Sequence, residues 1–334
     1  MTATTAPVGV IGAGAWGTAL AQMLASDGRD VTIWAYEETV AHAINTKHRN
    51  LQFLPSAELS TTIRATTELP DLAGCDIVLA VTPAQVLAQV LKGLSKPPRD
   101  LVLCSKGIEA DTGRLMHQVA SDALPDAAIA VLSGPTFAHE VAAGLPTAVT
   151  LACSGGQAQW DRLAPAIARR TFRPYYSDDV TGAEVAGAVK NVLAIACGVV
   201  EGLALGQNAR AALIARGYAE MLRFGEALGA RTETLSGLCG LGDLVLTCGS
   251  SASRNFSLGQ ALGEGRSADA LMADRATVAE GAHTAPVLAR LAEERGIAMP
   301  ITLGVAAILK GNPPREAVAR LLARPLKAER GMEA

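Results

Sequence analysis

Hydrophobic residues form short β-branched runs that alternate with longer segments of helical spacing through the first half of the chain. The predicted strands cover residues 8–11, 31–35, 76–82, 101–104 and 129–132. The predicted helices between them include residues 15–26, 84–94 and 112–124, with Asp111 as the N-cap of the last. Such alternation is typical of a parallel sheet with crossover helices, so the sequence predicts an α/β fold here.

The pattern becomes purely helical near residue 178. Before that point, two runs at residues 148–153 and 172–176 flank a helical segment and are predicted to extend the same sheet. After it, helical spacing covers residues 181–205, 209–228, 256–262, 283–295, 302–309 and 315–322. A chain of 334 residues exceeds what one core usually organises. We therefore predict an α/β domain over residues 1–177 and an all-helical domain over residues 178–334, with a ligand cleft between them.

One apolar segment, residues 183–206, is long enough to cross a bilayer. Glu184, Lys190, Asn191 and Glu201 interrupt it, and ionisable or polar residues are costly inside a membrane. We therefore predict a buried helix and no membrane insertion.

Composition narrows the class of protein further. Hydrophobic residues make up 49% of the chain and charged residues 18%, which excludes a disordered or fibrous protein. The net charge is −3 and Lys and Arg are scattered, so no nucleic-acid partner is expected. The six cysteines lie mostly in apolar runs without a CxxC pair, which indicates reduced core thiols and no metal site. The first seven residues lack the layout of a signal peptide, so we expect a cytoplasmic location.

A glycine motif follows the first predicted strand and opens the first predicted helix. Gly12, Gly14 and Gly17 stand in the spacing GxGxxG. The first glycine permits a tight turn, the second lets the backbone approach a pyrophosphate, and the third lets helix and strand pack closely. In this context the motif predicts a bound dinucleotide.

The end of the second predicted strand leaves the choice between NAD and NADP open. An acidic residue there would bind a ribose hydroxyl, whereas an arginine would favour the phosphate of NADP. The chain has Tyr36 at this point, followed by Glu37 and Glu38. We interpret the two glutamates as charges at a helix start.

Lys190 and Asn191 are polar residues in a run that is otherwise small and aliphatic. Most lysines in such runs extend along the helix edge to solvent. The surrounding residues offer little sign of a solvated face, however, and a desolvated lysine suits proton transfer. We favour a functional role for Lys190.

Polar residues also follow two predicted strands at the edge where ligands of doubly wound sheets bind. Lys106 follows the strand at 101–104, and residues 133–136, Ser-Gly-Pro-Thr, follow the strand at 129–132. Surface turns would explain both segments equally simply. Their position favours contact with a substrate.

Two further segments lie in the helical half. Asp243 follows a glycine-rich stretch and is either a helix N-cap or a paired, buried carboxylate. Residues 253–255, Ser-Arg-Asn, offer donors suited to a phosphate, although such a triplet alone is more often a solvated loop.

Eight motifs follow one another along nearly the whole chain. They are Gly12-Ala13-Gly14-Ala15-Trp16-Gly17-Thr18-Ala19; Arg49-Asn50 with Phe53-Leu54-Pro55; Ser105-Lys106-Gly107-Ile108-Glu109; Ser133-Gly134-Pro135-Thr136-Phe137-Ala138 with Glu140; Lys190-Asn191; Gly240-Leu241-Gly242-Asp243-Leu244; Ser253-Arg254-Asn255; and Val278-Ala279-Glu280-Gly281. As a set they resemble the soluble, bacterial-type NAD(P)-dependent glycerol-3-phosphate dehydrogenases.

The resemblance implies an N-terminal Rossmann-like, doubly wound domain that binds the dinucleotide, and a helical substrate-binding domain similar to that of 6-phosphogluconate dehydrogenase. It implies hydride transfer that interconverts dihydroxyacetone phosphate and sn-glycerol 3-phosphate with NAD or NADP, supplying phospholipid synthesis. It also implies a homodimer. Tyr36 and Ala279 depart from residues common in the family, and both lie on the cofactor side.

The resemblance also assigns roles to residues. The implied catalytic residues are Lys190, as proton donor and acceptor, with Asp243 and Lys106. The implied substrate contacts are Lys106, Gly134, Thr136, Lys190, Asn191, Asp243, Ser253, Arg254 and Asn255. The implied cofactor contacts are Gly12, Gly14, Ala15, Trp16, Gly17, Tyr36, Lys106, Ala138, Arg254, Val278 and Glu280.

Two alternatives stay open at this point. Another reductase of the same architecture, such as a ketopantoate reductase or a β-hydroxyacid dehydrogenase, would differ in substrate but hardly in chemistry. A protein that senses NAD(P)H without turnover would not need a buried proton donor, so Lys190 argues against it.

Overall fold

A single eight-stranded sheet is formed by residues 8–177 in the computed structural model, which describes residues 7–273 and 279–326. The strands are β1 Val8–Ile11, β2 Val31–Trp34, β3 Ile63–Thr66, β4 Ile77–Ala80, β5 Asp100–Leu103, β6 Ala128–Ser133, β7 Thr147–Cys153 and β8 Phe172–Ser177. Their spatial order is β3-β2-β1-β4-β5-β6-β7-β8. The chain therefore adds β2 and β3 on one side of β1 and then crosses to the other side of β1 to form β4. This change of direction creates a crevice beside β1.

Strands β1 to β6 are parallel, as predicted, but β7 runs antiparallel to β6. The prediction of a parallel sheet is wrong at that pairing. The connection contains one short helix, α5 Ala138–Ala142. Five helical residues span about 8 Å, which is too short to carry the chain back along a six-residue strand of about 20 Å. The chain reverses instead.

Alternate strand residues point to two separate cores. Val10 and Leu79 belong to the core on one face of the sheet, whereas Ile11, Val78 and Ala80 belong to the core on the other. The remaining helices of this half are α1 Ala15–Ala25, α2 Glu38–Lys47, α3 Leu87–Leu91, α4 Met116–Ala123 and α6 Gly156–Ile167, with 3-10 turns at Leu69–Leu72 and Ala84–Val86. Because both faces are covered, the strands read as continuous apolar runs.

The described residues after 177 form only helices and turns. The helices are α7 Val180–Gly202, α8 Gly206–Ala227, α9 Thr232–Ser236, α10 Asp243–Cys248, α11 Arg254–Gly263, α12 Ala268–Ala273, α13 Glu280–Glu294, α14 Pro300–Leu309 and α15 Pro314–Leu322. A π-helical turn, Leu238–Gly242, precedes α10. Strands and helices thus separate where the sequence predicted, while the division into two folding domains at that point stays a prediction.

Helix α7 lies at the centre of the molecule. Its apolar stretch is long enough to cross a membrane, but it is entirely buried within the protein. The Asp179 carboxylate begins the helix by accepting a hydrogen bond from the Gly182 backbone N at 2.7 Å. The prediction of a buried helix here is confirmed.

The helix predicted at residues 112–124 begins later, at Met116, and its N-cap is Leu115 rather than Asp111. Residues 109–114 form a turn in which Gly113 adopts φ +71°, a left-handed conformation that interrupts a helix. The six cysteines all lie among the described residues and are buried, so the prediction of core thiols is confirmed.

Candidate active site

The glycine motif forms the turn between β1 and α1. Gly12 has φ +106°, and a Cβ atom on Gly17 would lie 1.8 Å from the Gly12 carbonyl oxygen. Both positions therefore require glycine. A Cβ atom on Gly14 would meet nothing within 4 Å, so the backbone there faces open space at the N-terminus of α1, where Ala15 is the first residue. This arrangement suits a pyrophosphate, whose charge the helix N-terminus would stabilise.

The aromatic residues near this turn differ in exposure. Trp16 is partly buried on α1, whereas the Tyr36 side chain after β2 is 80% exposed and packs edge-on against Trp34. Glu37 is the N-cap of α2 and Glu38 lies in its first turn. The interpretation of these glutamates as charges at a helix start is confirmed.

An ion cluster lies where α7, α10 and the segment after β5 meet. Lys190 Nζ donates to Asp243 Oδ1 at 2.6 Å, and Lys106 Nζ donates to Asp243 Oδ2 at 2.8 Å. Lys190 is 5% exposed and Asp243 is fully buried. Lys190 therefore does not extend to solvent, and Asp243 is the paired, buried carboxylate that was one of the two sequence-based alternatives. Two ammonium groups share one carboxylate, so the cluster carries a net positive charge when all three groups are ionised.

Burial and the neighbouring charges move the pKa values of this cluster apart. Burial lowers the pKa of Lys190 to about 8, because the attraction of Asp243 only partly opposes it and the charge of Lys106 adds to it. Burial also acts to lower the pKa of Lys106, but Asp243 outweighs that effect and the pKa lies above its ordinary value. The pKa of Asp243 lies below its ordinary value, since the two lysines outweigh the opposing effect of burial. Lys190 is thus the group that can exchange a proton near neutral pH.

Two residues that sequence reasoning missed complete the cluster. Thr247 accepts a hydrogen bond from Lys190 Nζ at 3.0 Å and donates one to Asp243 Oδ1 at 3.1 Å. It lies four residues after Asp243, a spacing that would have placed both on one helix face had α10 been predicted. A Cβ atom on Gly187 of α7 would lie 3.4 Å from Lys106 Cγ, an ordinary van der Waals distance, so the lysine stem passes close to α7 at this glycine. No sequence signal distinguished Gly187 from other small residues in α7.

The Ser-Gly-Pro-Thr segment lies close to the same cluster. A Cβ atom on Gly134 would lie 2.8 Å from Val149 Cα, so the segment packs tightly against β7. Thr136 Oγ1 donates to the Gly134 carbonyl oxygen at 3.3 Å. A Cβ atom on Gly242, the residue before Asp243, would lie 3.7 Å from Pro135 Cγ. The structure therefore brings this segment beside the start of α10.

The Ser-Arg-Asn triplet begins α11 and is not a solvated loop. Ser253 is the N-cap, and its Oγ accepts from the Phe256 backbone N. Asn255 is buried, and its Oδ1 accepts from the Gly281 backbone N at 2.9 Å. Arg254 lies exposed between them. Serine and asparagine thus fix the helix start from which the arginine extends.

The other predicted residues lie around this region. A Cβ atom on Gly281 would lie 2.6 Å from the carbonyl oxygen of Asn191, so α13 packs directly on α7 there. Glu280 is the first residue of α13; burial raises its pKa to about 7, and the charges of Arg254 and Lys106 oppose the rise. Ala138 begins α5, which packs against α1, the helix that follows the glycine turn. Val278 lies outside the described residues.

Three buried polar atoms around the glycine turn and the sheet edge have no hydrogen-bond partner among the described residues. They are Trp16 Nε1, Thr82 Oγ1 and Ser133 Oγ. An unpaired buried polar group typically costs about 1–3 kcal/mol. Orphaned donors and acceptors of this kind fit a site that also accommodates a polar ligand. Within residues 7–273 and 279–326, no cluster of three metal-ligating side chains occurs.

Comparison with known proteins identifies the family. The family model described as NAD-dependent glycerol-3-phosphate dehydrogenase N-terminus matches residues 7–159, and the model described as its C-terminus matches residues 179–319. A glycerol-3-phosphate dehydrogenase [NAD(P)+] of Erythrobacter litoralis is 68% identical over 330 residues, covering 99% of this chain and all of the relative.

Solved structures agree at the level of the fold. The crystal structure of glycerol-3-phosphate dehydrogenase from Coxiella burnetii superposes with a TM-score of 0.90 at 39% identity, covering 96% of this chain and 99% of that one. A ketopantoate reductase from Ralstonia eutropha, one of the alternatives, superposes with a TM-score of 0.59 at 18% identity, which shows a shared fold alone. The predicted fold class, a Rossmann-like sheet followed by a helical region, is confirmed. The chain belongs to the NAD-dependent glycerol-3-phosphate dehydrogenase family.

Proposed function

We propose that the protein interconverts dihydroxyacetone phosphate and sn-glycerol 3-phosphate by hydride transfer with NADH or NADPH, in the cytoplasm and as a homodimer, and that it supplies glycerol 3-phosphate for phospholipid synthesis. The observation that carries the proposal is the ion pair of Lys190 and Asp243 at the ligand edge of a dinucleotide-binding sheet. The names of its relatives support dependence on NAD(P)+.

In this proposal Lys190 is the general acid for ketone reduction. The bound cofactor supplies the hydride, and the Lys190 ammonium gives a proton to the carbonyl oxygen of the substrate. A pKa of about 8 places both protonation states within reach at neutral pH, so the same group serves as general base in the reverse direction.

Asp243 and Lys106 have supporting roles. Asp243 orients the Lys190 ammonium from one side, while Thr247 accepts a second hydrogen bond from it. One proton of the ammonium group then remains for the substrate. Lys106 brings a second positive charge beside the carboxylate, which stabilises the negative charge that develops on the substrate oxygen.

The start of α11 is proposed to bind the phosphate of the substrate. Arg254 extends from the first residue of this helix, whose N-terminus favours an anion. Because Asn255 Oδ1 is occupied by the Gly281 backbone N, its amide NH2 group is oriented as a donor. Binding the remote phosphate in this way would hold the ketone in place for hydride transfer.

The cofactor is proposed to lie along the glycine turn. The α1 N-terminus and the open space at Gly14 would accept the pyrophosphate, with Trp16, Ala138 and Glu280 around it. The exposed Tyr36 offers neither the carboxylate that favours NAD nor the guanidinium that favours NADP. We therefore propose that the enzyme uses both cofactors.

An absorbance assay of cofactor oxidation tests this function. Purified protein is supplied with NADH or NADPH and with dihydroxyacetone phosphate, unphosphorylated dihydroxyacetone or ketopantoate. We expect turnover with dihydroxyacetone phosphate and both cofactors, and turnover near background with the other two ketones. Faster oxidation with ketopantoate would assign the protein to the rival reductase. Cofactor binding without oxidation by any ketone would favour the sensor alternative.

A further inference from the structure

A second connection between α7 and the half of the chain that contains the sheet joins α7 to α4. Glu184 Oε1 on α7 accepts from the His117 backbone N at 2.8 Å, and Glu184 Oε2 lies 2.6 Å from His117 Nδ1. His117 is the second residue of α4, and Glu184 is 4% exposed. One carboxylate of α7 therefore holds the first turn of α4 by two hydrogen bonds.

The connection uses groups that neither helix satisfies by itself. Backbone N–H groups in the first turn of a helix have no partner within that helix, and a carboxylate there also interacts favourably with the helix dipole. Burial raises the pKa of Glu184, and the bonds from His117 oppose the rise. Away from His117, the buried carboxylate would lose its hydrogen-bonding partners, which is costly.

Helix α7 also carries Lys190. Lys190 lies six positions after Glu184, or about 9 Å along the helix axis. Between them, a Cβ atom on Gly187 would lie 3.4 Å from Cγ of Lys106, which belongs to the segment after β5. The bonds between Glu184 and His117 thus join the helix that carries Lys190 to α4, a helix that packs on β6 of the sheet.

We propose that Glu184 is a positioning residue for the reaction: its bonds to the start of α4 fix α7 so that the Lys190 ammonium meets the substrate oxygen while the cofactor faces the carbonyl carbon. This inference rests on the proposed function. A displacement of reacting groups by about 1 Å can cost about a hundredfold in rate, so loss of this connection should appear in kcat.

Glu220 provides a matched control. This carboxylate of α8 accepts from the Ile301 backbone N at 2.6 Å and from Thr302, and so holds the start of α14. It is as deeply buried as Glu184. Both partners lie in the helical half of the chain, however. Replacing Glu220 removes a comparable helix-capping interaction without touching the sheet.

The test compares Glu184→Ala, Glu184→Gln and Glu220→Ala in the full-length enzyme, with dihydroxyacetone phosphate and NADH. A cavity of about 110 Å³ lined in part by His117 and Thr181 adjoins the pair, so water can reach the donors that Glu184→Ala exposes and the variant should fold. Thermal unfolding checks this, and NADH fluorescence titration gives the cofactor Kd and the fraction of active sites.

We expect Glu184→Ala to lower kcat at least about tenfold per active site, with little change in the cofactor Kd. Glutamine keeps the length of the side chain and its oxygen acceptor, so Glu184→Gln should retain kcat within about threefold. Glu220→Ala should lower the unfolding temperature while leaving kcat per active site unchanged.

An unchanged kcat in Glu184→Ala would overturn the positioning role, and so would an equal loss in Glu220→Ala. If Glu184→Ala fails to fold, Glu184→Asp replaces it, since aspartate keeps the charge but shortens the connection by one carbon. That variant should also lose kcat, and full activity would overturn the proposal. Lack of dihydroxyacetone phosphate reduction by the unsubstituted enzyme would instead refute the proposed function, so the two failures are distinguishable.

Discussion

Replacement of Lys190 by methionine removes the proposed proton donor while nearly preserving its volume. Lys190 is almost completely buried, so alanine would leave a cavity whose cost would be mixed with the loss of chemistry. Methionine avoids most of that cost. Asp243 retains its hydrogen bond to Lys106 at 2.8 Å in the variant, so the buried carboxylate keeps a cationic partner. We therefore expect Lys190→Met to fold.

The expected loss of rate follows from the role of Lys190. A positioned general acid typically contributes about 10²–10⁴ in rate, or about 3–5 kcal/mol of transition-state stabilisation. Because Lys190 contacts the substrate oxygen and not the dinucleotide in the proposed arrangement, binding of NADH should change little. Lys190→Met should thus lower kcat for dihydroxyacetone phosphate reduction by at least about a hundredfold.

The measurement combines steady-state kinetics with fluorescence titration of NADH. Lys310→Met serves as the control, since Lys310 directly follows α14 and is absent from the ion cluster. A kcat for Lys190→Met within tenfold of the unsubstituted enzyme would refute the assignment of Lys190 as the acid. A comparable loss of NADH affinity would indicate a defect of the cofactor site instead.

The remaining predictions concern the pH profile, the phosphate site and the glycine turn. Ketone reduction needs the ammonium form of Lys190, so kcat/KM should fall above pH about 8. Lys106→Met removes a neighbouring positive charge that lowers this pKa, so the falling limb of the kcat/KM–pH profile should move to higher pH. Arg254→Ala should raise the substrate KM by at least about tenfold with a smaller effect on the cofactor Kd, and an unchanged KM would place the phosphate elsewhere. Gly17→Ala should unfold or strongly destabilise the protein in thermal melts, because its Cβ would lie 1.8 Å from a backbone oxygen. Gly14→Ala should fold normally but bind NADH more weakly, since its Cβ would extend into open space that the cofactor is proposed to fill.

Elements with a strong local signal were predicted well from the sequence. Strand β1 and helix α7 were placed to within a few residues, because their apolar runs are long or bounded by clear turn residues. Strand β3, Ile63–Thr66, was missed, since it is four residues long and its Arg64 is exposed. The reversal at β7 depends on the length of α5, which the sequence reading did not identify as a helix.

The candidate site was predicted where a residue type conflicts with its surroundings. Lys190 and Asp243 were noticed because charged residues stand in apolar segments, and the structure pairs them. Thr247, Gly187 and Glu184 were not recognised as contributors. The partners of Glu184 and Gly187 lie far away in the chain, and neither a glutamate nor a glycine has a local pattern that would indicate such a contact. Thr247 lies four residues after Asp243, but this spacing is informative only once α10 is known to be a helix.

In the proposed mechanism, the second lysine strengthens the buried Lys190 as an acid. A lysine bound to one carboxylate alone is held in its charged form, since the pair attracts strongly in a poorly solvated site, and such an ammonium gives up its proton reluctantly. Burial is the main cause of the lowered pKa of Lys190, and the positive charge of Lys106 on the shared Asp243 carboxylate lowers it further. The same charge leaves the cluster positive, which favours a phosphorylated substrate and the oxyanion formed during reduction. In the proposed mechanism, one arrangement, two ammonium groups on one carboxylate, therefore contributes both to acid strength and to anion stabilisation.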